Sequence, residues 1–252
     1  SCLAAFTAFF ISIFFGHWFI KRLRSLKVGE DTTKTDSEEL KRMHFDKKNT
    51  PTMGGIVIIV SILVSVLLWC NIYNEYILLL MFTLIWFGVL GFIDDYIKLT
   101  QTKAAGLTDV SKLLFQSALG LILGLILYFH MKKFAWGTHV VIPLVKDFRP
   151  DLGPLYILFV TFFIVGMSNA VNLTDGLDGL AIGCGIIAGI AFAVVAYVSG
   201  RMDFSNYLRI LYIPGSGELS VFCAALAGGG LGFLWYNCFP AQVFMGDTGS
   251  LT

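Results

Sequence analysis

Charge is what this chain has least of. Asp, Glu, Lys and Arg together make up 14% of its 252 residues, against about 25% in an ordinary soluble domain. That scarcity excludes a disordered chain, a coiled coil and a typical soluble enzyme. Neither sign dominates: 18 Lys and Arg face 17 Asp and Glu, for a formal net charge of +1. A nucleic-acid binder needs a basic stripe, so no nucleic-acid partner is expected. Cysteine is sparse as well. The five (Cys2, Cys70, Cys184, Cys223, Cys238) show neither metal-ligand nor redox spacing and read as small apolar side chains. What remains is apolar: hydrophobic residues reach 56% and gather in long runs. That is the composition of a polytopic membrane protein, with the lipid bilayer as its solvent.

A helical span needs about 17 to 25 mainly apolar residues. Seven stretches meet this: Leu3–Ile20, Met53–Ile72, Tyr76–Ile93, Leu113–His130, Leu155–Val171, Leu180–Val198 and Leu219–Tyr236. No alternating ten-residue pattern repeats, which argues against barrel strands. The expected fold class is an all-α polytopic integral membrane protein of about seven transmembrane helices plus the start of an eighth. The first stretch lacks a basic leader and a small-residue cleavage site, so it reads as a span and not as a signal peptide.

Alternation puts residues 21–50, 94–112, 172–179 and 237–252 on one side, with twelve Lys and Arg. Residues 73–75, 131–154 and 199–218 share the other side with the N-terminus and carry six. The positive-inside rule makes the first side cytoplasmic and the N-terminus external. The segment Phe134–Pro154 holds Gly, Pro and a β-branched run around Thr138–Pro143. It reads as a small external loop or hairpin.

Four unusual clusters fall on the expected cytoplasmic side. The first is Lys47–Gly55, where Thr50 can cap a helix, Pro51 suits its first turn, and Gly54 and Gly55 allow a backbone to approach. A plain helix start with a snorkelling lysine has the same look. The second is Gly91–Lys98, with Asp94 and Asp95 adjacent. An aspartate at mid-bilayer costs about 2.5 to 3.5 kcal/mol, so the pair should sit at the interface. Asp94 and Lys98 are spaced to pair along a helix.

The third cluster is Asn169–Leu180. Asn169, Asn172, Asp175 and Asp178 recur every third residue, with Gly176 and Gly179 directly after the two aspartates. On a near-helical backbone they form a slowly drifting polar line. The fourth is Phe233–Ser250, where Asp247 stands between Gly246 and Gly249 after an aromatic run. Five aspartates (Asp94, Asp95, Asp175, Asp178, Asp247) thus meet few lysines on one face. Such a cluster recruits a divalent cation and, through it, a phosphate; magnesium takes one or two carboxylates plus phosphate oxygens. That points to phosphoryl transfer at the membrane surface, where a lipid can be the acceptor.

At these residues the chain resembles the polyprenyl-phosphate N-acetylhexosamine-1-phosphate transferases. The runs Thr50–Gly55, Asp94–Lys98, Asn169–Leu180 and Pro240–Ser250 look like the family's signature loops, in its order. The first run is similar to the muramoyl-pentapeptide branch. Two features depart from the family. The chain has histidines only at 17, 44, 130 and 139, so a histidine-rich loop is missing, and Asn49 stands where the family usually has glycine. The expectation is one integral membrane catalytic domain over 1–252, incomplete at its C-terminus.

The resemblance implies transfer of phospho-N-acetylmuramoyl-pentapeptide from UDP-MurNAc-pentapeptide to undecaprenyl phosphate, with Mg2+ as cofactor. The bacterial inner membrane is the implied location, and a homodimer stays open. Asp94, Asp95 and Asp247 become the catalytic candidates. Asp94 would position or deprotonate the nucleophile, Asp95 would support it, and Asp247 would ligate the metal. Lys47, Thr52, Lys98 and Lys112 become candidate substrate contacts. Asn172, Asp175, Leu177, Asp178, Asn237 and Phe244 are implied to form a nucleoside pocket. The alternatives are a sister transferase using another UDP-sugar and, from a different class, a cation-coupled transporter. A transporter should place its acids near the midplane, whereas these gather at one interface.

Overall fold

The computed structural model describes residues 1–25, 50–100, 106–134, 137–140 and 149–252. The helices among them, in chain order, are α1 (Cys2–Ser25), α2 (Gly55–Trp69), α3 (Glu75–Thr100), α4 (Asp109–Met131), α5 (Leu155–Thr174), α6 (Leu180–Ser199), α7 (Met202–Leu208), α8 (Gly217–Asn237) and α9 (Asp247–Ser250). Six of these (α1, α3, α4, α5, α6 and α8) are long and apolar enough to cross a membrane. The all-α polytopic class is therefore as expected.

The second expected span, Met53–Ile72, differs. Its helix α2 has 15 residues. At about 1.5 Å per residue it is well short of a hydrocarbon core of about 30 Å. The reason lies at its start. Met53 takes a left-handed φ of 73°, which interrupts any helix from Pro51. The backbone there is spent on a distant segment: Phe244 N–H donates to Pro51 O, and the N–H groups of Gly54 and Gly55 donate to Phe244 O and Met245 O. At the other end Cys70 is extended, and the Asn71 N–H donates to the Glu218 carboxylate.

The chain divides into two compact units, Ser1–Gly106 with Val171–Thr252, and Leu107–Ala170. In the first unit, α1 packs on α8 through small residues. Ala4, Ala8, Ser12 and Gly16 are buried at every fourth position. They face Gly228, Gly232 and Tyr236, where the carbonyls of Ala5 and Phe9 leave no room for a side chain on either glycine. Lipid tails are as apolar as leucine, so helix association in a bilayer relies on such close van der Waals contact. Hydrogen bonds add to it: Tyr236 Oη donates to Ile13 O at 2.8 Å, and Ser65 Oγ of α2 donates to Ala4 O at 2.7 Å.

The first unit has two distinct ends. Asn74 Nδ2 to Gly215 O and the Ile213 N–H to Ser199 O close one of them. The other gathers the last turn of α1 (Arg24 to Gln242 O, 3.4 Å), the start of α2, the end of α3, the start of α6, the end of α8 and the short α9.

In the second unit an amide pair joins α4 and α5: Gln116 is buried and Asn169 is exposed. Asn169 Nδ2 donates to Gln116 Oε1 at 2.8 Å. The described part of the expected hairpin is present as an antiparallel bridge between His139 and Asp151; residues 141–148 lie outside the described residues. Asp151 accepts the Thr138 hydroxyl and the Gly153 N–H. These two bonds hold its carboxyl below the usual carboxylate range, with a smaller contribution from His139.

Candidate active site

Helix α3 does not stop at the aspartate pair. It runs on to Thr100, so Asp94 and Asp95 sit inside its last two turns and are 0% and 2% exposed. Against these turns lies α9. The approach is close enough to require glycine: a Cβ on Gly91 would stand 2.2 Å from Asp247 O, and one on Gly55 would stand 2.2 Å from Gly249 N. The second cluster thus meets the first and fourth at a point where only backbone fits.

Three carboxylates converge there. Oxygen atoms of Asp94, Asp95 and Asp247 lie within 4.8 Å of one another. Like charges so close and so buried need compensation, and two sources of it stand among the described residues. Lys98 Nζ stands 2.8 Å from Asp94 Oδ2 and 3.1 Å from Asp247 Oδ2. Asp95 instead accepts backbone and hydroxyl donors at the head of α9: Asp247 N–H at 3.1 Å, Thr248 N–H at 2.9 Å and Thr248 Oγ1 at 2.5 Å. The Asp94–Lys98 pairing matches the helical spacing; the bridge to Asp247 adds a partner that no local pattern specifies.

The donor set suits a hard divalent cation. Among the described residues it offers three carboxylates, two of them paired with the Lys98 ammonium, and oxygen-rich sites favour Mg2+ or Ca2+ over softer metals. Asp94 and Asp247, which share Lys98, are the pair a cation would join.

The remaining sequence candidates fall into three groups. Thr52 is buried beside Gly246, which turns with φ 70°; a Cβ on Gly246 would lie 2.7 Å from both Thr52 Oγ1 and Asp95 Oδ2. Phe244 is half-buried, and its backbone is fixed on both sides by Pro51 and Gly54. These two join the carboxylate cluster through the chain.

The third cluster docks on the loop after α8. Asp178 Oδ2 accepts the Ala241 N–H at 3.1 Å. Asn237 is 3% exposed; its Oδ1 accepts from Gly179 N–H at 3.1 Å and its Nδ2 donates to Val243 O at 2.9 Å. Both side chains therefore hold the 238–243 loop in place. Asn172 and Asp175 are half-buried and Leu177 is exposed. The expected polar line is broken: α5 ends at Thr174, and Asn169 is bonded to Gln116 within the second unit.

Lys112 lies in the first turn of α4, in the second unit, and Lys47 lies outside the described residues. Sequence reasoning gave no role to Thr248, Gly91 or Met53. For Thr248 the only available signal was a hydroxyl next to the lone Asp247.

Comparison with known proteins gives this geometry a family. The model described as "Glycosyl transferase family 4" matches residues 76–252, and "Phospho-N-acetylmuramoyl-pentapeptide-transferase signature 1" matches residues 47–59. The phospho-N-acetylmuramoyl-pentapeptide-transferase of Oleidesulfovibrio alaskensis is 46% identical over 252 residues, 100% of this chain and 68% of its own length. That of Desulforapulum autotrophicum is 47% identical over 245 residues, 97% of this chain and 66% of its own length. This chain thus spans about two thirds of the length of each relative. With more than half of its residues under the family match and near-complete coverage by both relatives, the chain belongs to glycosyl transferase family 4 and, within it, to the phospho-N-acetylmuramoyl-pentapeptide transferases.

Proposed function

We propose that this chain transfers phospho-N-acetylmuramoyl-pentapeptide from UDP-MurNAc-pentapeptide to undecaprenyl phosphate, giving lipid I and UMP. The observation that carries the reading is the convergence of Asp94, Asp95 and Asp247 on one lysine-bridged point. Both units form, in this proposal, one catalytic domain in the bacterial inner membrane. The N-terminus is external and the site faces the cytoplasm, where the Lys- and Arg-rich segments lie.

An oxygen of the lipid phosphate forms a new bond to the sugar-linked phosphorus, and the bond from that phosphorus to the UMP oxygen breaks. The nucleophile is already largely ionised, so the protein's task is alignment and charge compensation more than proton removal. Asp94 positions the acceptor phosphate and takes any residual proton. Lys98 offers its ammonium to the pyrophosphate. Mg2+, held by Asp247 with Asp94, would supply the charge neutralisation that lets two phosphates approach. Asp95 positions the head of α9. Phe244 offers a ring face to uracil, Asn172, Asp175 and Leu177 line the approach, and Asp178 and Asn237 fix the wall behind it. Thr52, Lys47 and Lys112 remain proposed contacts to phosphate or nucleotide.

The test is UMP release by the full-length protein in vesicles containing undecaprenyl phosphate. Release is expected with UDP-MurNAc-pentapeptide and not with UDP-GlcNAc; the opposite preference would move the chain to the sister activity. For the nucleoside role, Phe244→Ala is expected to weaken uridine-ligand binding by about 1 to 3 kcal/mol, measured by calorimetry. Unchanged affinity removes Phe244 from the pocket.

A further inference from the structure

We propose that Thr248 is a positioning residue for the cation site: its hydroxyl and N–H lock the Asp95 carboxylate onto the head of α9, so that Asp95 aims Asp247 and does not itself take the cation. The proposal rests on the reading that Asp94 and Asp247 hold a divalent cation.

A carboxylate offers about four lone-pair sites. Asp95 gives three of them to Thr248 Oγ1, Thr248 N–H and Asp247 N–H. Its capacity is nearly exhausted by the protein, whereas Asp94 and Asp247 both turn to Lys98. Thr248 is 1% exposed, and its carbonyl accepts the Thr252 hydroxyl at 2.7 Å, so it is gripped on both sides. The bond from Asp247 N–H to Asp95 Oδ1 fixes the backbone from which the Asp247 side chain leaves. On the other side Gly246, at φ 70°, has no room for a side chain against Asp95 and Thr52. The Thr248 hydroxyl therefore acts through Asp95 on the direction of Asp247. Partners that orient metal ligands in this way typically change metal affinity by about 10- to 100-fold when removed.

The experiment uses the full-length protein in detergent and Mn2+ as the probe, with free Mn2+ read by electron paramagnetic resonance in the absence of substrate. Thr248→Val keeps the shape and removes the hydroxyl donor. It is expected to weaken Mn2+ binding about 10- to 100-fold and to raise the Mg2+ concentration for half-maximal turnover, while KM for the UDP substrate at saturating Mg2+ stays put. Thr248→Ser is expected to restore native Mn2+ affinity. Thermal midpoints without metal show which variants are folded, and Thr248→Ala replaces the valine variant if that one is not. Native Mn2+ affinity in the folded hydroxyl-free variant overturns the proposal, as does a serine variant that fails to recover. Asp247→Asn separates the two readings. If it loses Mn2+ while Thr248→Val keeps it, the positioning role alone falls; if it also binds Mn2+ natively, the cation reading falls too.

Discussion

Asp95 in the first unit and Asp151 in the second are held by the same device and serve different ends. Each carboxylate accepts a threonine hydroxyl and at least one backbone N–H: the Thr248 hydroxyl with two N–H groups at the head of α9 for Asp95, the Thr138 hydroxyl with the Gly153 N–H for Asp151. Asp151 is exposed and Asp95 is 2% exposed. At the surface, water replaces any donor that is lost, so the bonds set a local turn and little else. Inside, nothing replaces it, and an orphaned buried donor costs about 1 to 3 kcal/mol. Burial therefore decides what a similar hydrogen-bond pattern is worth. The buried copy also stands within 4.8 Å of two further carboxylates, an arrangement that stability alone does not explain.

The largest effect should come from the member of the buried cluster that the proposed cation touches. Asp247→Asn keeps the shape and removes one of three clustered negative charges. Turnover is expected to fall by about 10²- to 10³-fold, the scale of losing one preorganised electrostatic group. The thermal midpoint should hold or rise, because the cluster is built against its own repulsion. A parallel fall in both would make Asp247 a structural residue.

Next in size is the direct comparison. Asp95→Ala leaves three donors at the head of α9 without their acceptor, and a loss of about 3 kcal/mol or more is expected. Asp95→Asn, which keeps one acceptor oxygen and relieves repulsion, should lose less. Asp151→Ala should leave the thermal midpoint where it was. Equal shifts for the two alanine variants would mean that burial is not what distinguishes them.

A smaller effect tests the backbone approach behind the buried copy. Gly91→Ala drives a Cβ to 2.2 Å from Asp247 O, and Gly228→Ala drives one to 2.1 Å from Ala5 O. Each overpacks a helix contact and should cost about 1 to 3 kcal/mol in denaturant titrations. Gly91→Ala alone should also impair Mn2+ binding, since only it displaces α9. Gly176→Ala meets nothing within 4 Å and serves as the control. Equal impairment of Mn2+ binding at Gly91 and Gly228 would show that α9 is coupled to the whole unit and not to α3.

How much of this was legible beforehand follows the range of each interaction. Long apolar runs announce spans because a bilayer selects on length and composition alone, and the six spanning helices all fall on expected stretches. The shortness of α2 was hidden, since it depends on Met53 turning left-handed between Pro51 and Gly54, which pair with Phe244 far along the chain. Within the site, Asp94 and Lys98 were readable as helix neighbours, whereas the Lys98–Asp247 bridge required the fold. Asn237 and Asp178 were conspicuous as polar residues at span ends, but their backbone partners at Val243, Gly179 and Ala241 were not. The stripe Ala4, Ala8, Ser12 and Gly16 was visible in principle at four-residue spacing. It gains meaning only once Gly228 and Gly232 lie opposite.

The smallest effect belongs to the exposed copy and is a matter of pH. Hydrogen bonds from Thr138 and then Gly153, with His139 nearby, hold the Asp151 carboxyl below its ordinary value. A depressed carboxylate stabilises its local structure above the unfolded pKa, and that contribution is lost as pH falls through the depressed value. The Gly153 N–H, which donates to Asp151 Oδ1 at 3.0 Å, should therefore be protected from hydrogen exchange near neutral pH, once intrinsic rates are divided out. Protection should fade as the solution is acidified below the usual carboxylate range. Thr138→Val removes the principal donor, so fading should begin at higher pH in that variant, while the global thermal midpoint stays unchanged. A Gly153 amide that exchanges freely at neutral pH would show that the exposed device holds nothing, even locally. A midpoint that moved with Thr138→Val would show the reverse, that the hairpin is tied into the stability of the whole chain.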